Sequence, residues 1–250
     1  MLRLYSAGKI IPHPRKAYRG GEASYILSSP TNSTLAVADG VGGWESKGVN
    51  PRAFADQILR STYEFIKSGD DNPYTALQAG YELTTETGSS TVCIGKMTTD
   101  GIFRVVNMGD SGFLIIRNQK IFLQSSEHQH QFNYPYQLGR DFEGNPHGTD
   151  RPTDAEIYQV NLEMGDIVVM GSDGLFDNVW PNEILNFVNQ HTPNPMMMAN
   201  GLAKIAYEHS QDDSNYVPFF HRAKEMGAGF SSYQGGKEDD ITVLVGIVSD

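Results

Sequence analysis

The chain has 250 residues, 39% hydrophobic and 20% charged, which suffices for one large apolar core and leaves no low-complexity tail. Its formal charge of −11 argues against nucleic acid or an anionic membrane as partner, since both require a basic face. No apolar stretch approaches the roughly 20 residues of a membrane span, and the single cysteine, Cys93, allows no intramolecular disulfide, in keeping with an intracellular, reducing setting.

Taken in chain order, the stretch before Glu22 carries Arg3, Lys9, Arg15, Lys16 and Arg19 and no acid. That bias resembles an organelle transit segment in charge but is too short and Ser-poor for one, so a cytoplasmic and a mitochondrial or plastid setting both stay open. Apolar runs at residues 25–27 and 34–38 predict strands. Asn50-Pro51 then supplies an N-cap and a first-turn proline, and Phe54, Ile58, Leu59, Thr62, Phe65 and Ile66 fall on one helical face. A second helix is expected over residues 73–85, with Leu77 and Tyr81 inward.

Strands follow at residues 90–96, 102–107, 112–116, 120–124, 156–160 and 166–170, with Asn118-Gln119 as a tight hairpin. Cys93 lies in the first of these and reads as a small core residue rather than a nucleophile. Helices are expected to start at Pro181 and Pro195, and a last strand covers residues 241–248. The segments 125–154 and 211–236 read as irregular loops of the kind that shape a substrate rim.

Consecutive strands without intervening helices pair antiparallel, and each amphipathic helix pair must cover one apolar sheet face. The expectation is a single α+β domain over residues 1–250, a four-layer α/β/β/α sandwich in which two central antiparallel sheets are flanked by helix pairs.

Three acids stand at the ends of apolar runs, in Ala38-Asp39-Gly40, Ser172-Asp173-Gly174 and Asp239-Asp240-Ile241. Singly, Asp-Gly is a common turn dipeptide. Jointly, and with Asp110 in Gly109-Asp110-Ser111-Gly112 and Asp177 four residues after Asp173, these acids predict a cluster of oxygen ligands at a sheet rim. Crowded carboxylates repel, and divalent cations remove that cost. Asp39 is the natural bridging carboxylate, with the Gly40 carbonyl open beside it.

The segments Val37-Ala38-Asp39-Gly40-Val41-Gly42-Gly43-Trp44, Asn107-Met108-Gly109-Asp110-Ser111-Gly112, Gly171-Ser172-Asp173-Gly174-Leu175-Phe176-Asp177-Asn178 and Lys237-Glu238-Asp239-Asp240-Ile241-Thr242-Val243 resemble, in order and over nearly the whole chain, the motifs of the type 2C metal-dependent protein serine/threonine phosphatases. The Val-Gly-Gly-Trp ending and residues 127–133 are most similar to the branch with mitochondrial and plastid members.

The resemblance implies the same sandwich and a water-mediated hydrolysis of phosphoserine or phosphothreonine in proteins with two Mg²⁺ or Mn²⁺ ions. It further implies that Asp39 bridges both ions, that the Gly40 carbonyl and Glu22 serve one, that Asp173 and Asp239 serve the other, and that Asp110 and Asp177 match a third, weaker metal position of some members. Two departures stand out. Gly21-Glu22 is followed by Ala23 where members usually carry Asp, which implies weakened metal affinity or turnover and motivates the alternative of a pseudophosphatase, a regulatory binding module. Val41 stands where many members carry His, although Val is usual in the branch this chain resembles.

Arg19, with Arg15 and Lys16 behind it, is the expected phosphate-binding cation, against the alternative of a solvated basic face. His128 and His130 share a strand face without an acidic or Cys partner spaced for zinc, and read as part of a polar rim. A phosphoprotein is the expected partner and a monomer the expected state; a hydrolase of small phosphoesters or lipid head groups differs only in substrate.

Overall fold

Proline-led helices and short Val/Ile strands alternate along the chain in blocks. The computed structural model describes residues 1–148, 150–227 and 234–250. Parts of the two expected loops, residues 149 and 228–233, lie outside the described residues. In chain order the elements are β1 (Arg3–Ile11), β2 (Ala23–Leu27), β3 (Thr34–Gly40), α1 (Pro51–Lys67), α2 (Pro73–Leu83), β4 (Gly88–Met97), β5 (Ile102–Met108), β6 (Gly112–Arg117) and β7 (Lys120–Gln124). There follow β8 (Gln129–Gln131), β9 (Tyr134–Pro135), β10 (Leu138–Arg140), β11 (Glu156–Asn161), β12 (Ile167–Gly171), α3 (Asp173–Phe176), α4 (Pro181–His191), α5 (Pro195–Ser210), α6 (Pro218–Glu225) and β13 (Ile241–Ser249).

One sheet runs β1-β13-β12-β6-β7 and the other β11-β5-β4-β3-β2, with β10 beside β4. Their ladders are antiparallel throughout. Three apolar layers bind the four structural layers together. Phe54, Ile58, Leu77 and Tyr81 of α1 and α2 pack on Ala36, Ala38, Val92 and Ile94. Leu35, Val37, Cys93, Phe103, Phe113, Val168 and Leu244 fill the space between the sheets. Ile184, Val188, Met198 and Leu202 of α4 and α5 cover Val169, Val243 and Val245. The expected sandwich is therefore the observed one, and burial pushes the Cys93 thiol up, as suits an inert core residue.

Local chemistry explains the helix starts. Asn50, Asn72 and Asn194 each accept a backbone N–H from their own first turn, and each is followed by proline, whose missing N–H costs nothing there. Asn118 and Gln119 have φ of 50° and 61°, the left-handed pair that a two-residue hairpin requires.

Three segments differ from expectation. The segment 125–154, expected to be irregular, holds β8 and β9, paired with each other, and β10, paired with β4. The basic N-terminal stretch contains an edge strand, β1, paired over its whole length with β13; Ser6 and Gly8 interrupt the apolar alternation that would have marked it. The segment 211–236 holds α6, too short for a clear helical period but anchored by buried Phe219 and Ala223 at i and i+4. Among the described residues no helix is long and apolar enough to cross a membrane.

Helices α1 and α2 touch where Gly80 meets Thr62: a Cβ at position 80 would lie 2.6 Å from the Thr62 nitrogen and 2.7 Å from its Cα. Gly80→Ala is thus expected to destabilise by about 1–3 kcal/mol through overpacking. Urea unfolding checks this, and an unchanged midpoint would contradict the close approach.

Candidate metal centre

Side chains alternate across β3, so Leu35 and Val37 point between the sheets and Asp39, two residues on, emerges on that same face at the strand's end. Asp173 opens α3 immediately beyond β12, and Asp239 stands just before β13, the neighbour of β12 in the other sheet. The three carboxylates each offer one oxygen, and these oxygens lie within 4.8 Å of one another. They line a cavity of about 270 Å³ together with Glu22, Gly40, Asp110, Lys16 and Lys237.

Neither Asp-Gly pair is a turn. Gly40 ends β3, where a Cβ would lie 2.6 Å from the Pro51 carbonyl oxygen, and Gly174, within α3, abuts the Asp240 carbonyl. Both glycines let backbone approach backbone directly beside a cavity carboxylate.

The electrostatics follow from crowding. Burial, and then the charges of Asp173 and Asp239, hold the Asp39 carboxyl well above the usual range. Burial and Asp173 push Asp239 to about 7, against the pull of Lys237. For Asp173 burial is outweighed by the Lys237 charge and hydrogen bond, and its carboxyl lies below the ordinary value. Lys237 itself is held well above its ordinary value because the carboxylate charges overcome its burial.

The remaining expected residues sort by partner. Glu22 accepts from Lys16 and from Arg19 (2.8 Å), so both its oxygens face a cation. Arg19 also pairs with Glu45, and it is Lys16, not Arg19, that lines the cavity. Asp177 sits one helical turn after Asp173, as the spacing predicts, but its oxygens meet Arg222 and Lys237 (2.7 Å). Asp110 accepts from Gln129 at 3.2 Å. His128 and His130 flank Tyr136, each ring centroid 3.7 Å from that of the tyrosine, so they do share a strand face. An acidic partner for His130 arrives from far along the chain, Asp150 at 2.9 Å. Asn133 and Pro135 of the same segment line the cavity, which makes it a rim as expected.

One buried residue escaped sequence reasoning. Asp240 accepts the backbone N–H of His13 (2.6 Å), Glu22 and Ala23 (3.3 Å), and so ties the Glu22 turn to the start of β13. Its position beside Asp239 was the only signal available. Ala23 pairs in register with Asp39 and is fully buried.

The donor set of Asp39, Asp173 and Asp239 fits a hard divalent cation: all ligand atoms are oxygen, and their mutual repulsion is what such an ion relieves. Asp177 and Glu22 fit less readily, because side-chain cations already hold both oxygens of each.

No protein-family model matches the chain. It is 36% identical over 246 residues to probable protein phosphatase 2C 1 of Oryza sativa subsp. japonica, covering 94% of this chain and 72% of that protein. It is 35% identical to probable protein phosphatase 2C 55 of Arabidopsis thaliana, covering 99% of this chain but only about half, 52%, of that relative. Protein phosphatase PTC7 homolog of Homo sapiens is 34% identical over 92% of this chain and 80% of its own length. Among solved structures, the photosystem II phosphatase PBCP superposes with a TM-score of 0.90 at 34% identity, over 98% of this chain and 99% of that one. The catalytic domain of the serine threonine protein phosphatase PstP, solved with 2 manganese ions, shares the fold with a TM-score of 0.69 at 19% identity, over 100% of both chains.

Two predictions arise from this geometry. Asp240→Ala strands three backbone donors, at about 1–3 kcal/mol for each buried group left unpaired, whereas Asp240→Asn keeps one acceptor; urea midpoints should fall in the order wild type, Asn, Ala. Secondly, Asp39 and Asp239 bind protons in the folded chain at pH values where the unfolded chain has released them. Both contributions are complete below the ordinary carboxylate range; that of Asp239 is lost as pH rises through about 7, and that of Asp39 as pH rises through its own raised value. Chelator-treated protein should therefore melt higher at about pH 6 than at about pH 8, while the rise in melting temperature on adding Mn²⁺ should be larger at pH 8, because ligation requires the deprotonated acids. Scanning calorimetry at both pH values tests the two signs.

Proposed function

This chain belongs to the protein phosphatase 2C family of metal-dependent protein serine/threonine phosphatases, and on that premise we propose that the acidic cavity hydrolyses phosphoserine and phosphothreonine in proteins. The observation that carries the reading is the convergence of Asp39, Asp173 and Asp239 from both sheets on one cavity. Asp39 would be the shared ligand of two Mg²⁺ or Mn²⁺ ions; Asp173 and Asp239 would serve one, and the Gly40 carbonyl, with Glu22 once freed from one of its cations, the other. When bound, such ions lower the pKa of water and neutralise phosphoryl charge.

The chain's own groups do the rest. Lys16 lines the cavity and meets the charge of the incoming phosphate, with Arg19 one step behind it across Glu22. Among the described residues no Cys or His lines the cavity, and the Thr91 hydroxyl is hydrogen-bonded with that of Ser111 at 2.8 Å. Attack by water without a covalent enzyme intermediate is the chemistry those residues support. The regulatory-module alternative rests on Ala23 alone, and the comparisons lend it no support. The likeness to a photosystem II phosphatase favours a phosphoprotein substrate over small phosphoesters and a plastid or mitochondrial setting over the cytoplasm. A monomer belongs to the same reading.

Phosphate release from phosphopeptides should require Mg²⁺ or Mn²⁺, stop with chelator, and exceed release from soluble phosphoesters in kcat/KM. Asp39→Ala should lower the rate by about 100-fold or more, the scale of losing one preorganised electrostatic element, with the fold retained by circular dichroism. Full turnover in a folded Asp39→Ala protein would overturn the assignment.

A further inference from the structure

Lys237 precedes Asp239 by two residues, and its ammonium lies 2.5 Å from Asp173 Oδ2, 2.7 Å from Asp177 Oδ2 and 3.3 Å from Asp239 Oδ2. An ammonium donates hydrogen bonds and accepts none; this one donates to Asp173 and Asp177 and ion-pairs with Asp239. The ring of Phe219 covers it, with the centroid 5.0 Å away. Its backbone is fixed as well. Fully buried Asn178 accepts the Lys237 N–H at 2.9 Å and donates to the Lys237 carbonyl at 2.9 Å and to the Gly174 carbonyl at 3.0 Å, which clips residue 237 to α3. The other oxygen of Asp177 meets Arg222, itself 3.1 Å from Glu127.

We infer that Lys237 is the resident cation between Asp173 and Asp177, holding by covalent attachment the place a third divalent ion would otherwise take. The inference rests on the two-metal reading above. An ion entering there must displace an ammonium already hydrogen-bonded to Asp173 and Asp177 and stand beside two positive side chains, Lys237 and Arg222. A tethered cation also does not dilute away, so it occupies the position at any ambient metal concentration. The expectation that Asp110 and Asp177 hold a further metal is thereby replaced, in this chain, by a protein charge.

Equilibrium dialysis of the whole chain against increasing Mn²⁺, with bound metal measured by atomic emission, tests this, and melting curves confirm that each variant is folded. Wild type and Lys237→Arg should saturate at about two ions per chain, and Lys237→Met, which keeps the stem and loses the charge, at about three. A wild type that binds three, or a folded Lys237→Met protein that stays at two, overturns the inference. If Lys237→Met does not fold, Asp177→Asn decides: unchanged stoichiometry supports a lysine-held position, and loss of an ion shows that Asp177 ligates metal and sinks it. A wild type that binds no Mn²⁺ removes the two-metal reading itself, and the inference with it.

Discussion

Carboxylates from two different sheets are forced together at one end of the sandwich, and their repulsion is the condition around which the rest of the molecule is arranged. Two full charges at about 5 Å with an effective dielectric constant near 20 oppose each other by roughly 3 kcal/mol. Lys237 offsets part of this at Asp173 and Asp239; the apolar layer between the sheets bears the rest, because it fixes β3 opposite β12 and β13 irrespective of what their ends carry. Site and core are thus separate in space, with the burden at the rim and the driving force behind it.

The distribution of cations gives that rim a pattern. Glu22 at one end is met by Lys16 and Arg19, and Asp177 at the other by Lys237 and Arg222. Between them Asp39 and Asp239 are held above their ordinary state by burial and like charge. In a chain of net charge −11, four of 19 basic residues are spent on two carboxylates of one cavity. Positive charge brought from outside is therefore drawn to the centre of the row, where the protein supplies least of its own.

Much of this was legible in the sequence because its signals are local. Asn50-Pro51 and the prolines at 73, 181 and 195 marked helix starts, apolar runs marked most strands of both sheets, and Asp-Gly pairs flagged the rim even though neither is a turn. What could not be read depends on distant partners. β1 is recognisable only through β13, some 230 residues away, since Ser6 and Gly8 break its pattern. Asp150 lies 20 residues beyond its partner His130, and the pairing of Arg19 with Glu22 and Glu45 brings in Glu45 from 26 residues away, neither of which any local pattern announces.

Asp239 and Asp240 show most directly why residue type and neighbourhood must be read together. Identical in chemistry and adjacent in sequence, they enter β13 from opposite sides: Asp239 faces the cavity and its carboxyl is pushed to about 7, while Asp240 turns inward and accepts three backbone N–H groups. Those N–H groups belong to the turn that carries Glu22, so the distance from Glu22 to the central acids is set by a residue that never touches the cavity. The dipeptide is then both an expected ligand position and the strut that places another, and a change confined to the second aspartate would act on the site through geometry and through the loss of its charge beside Asp39 and Glu22.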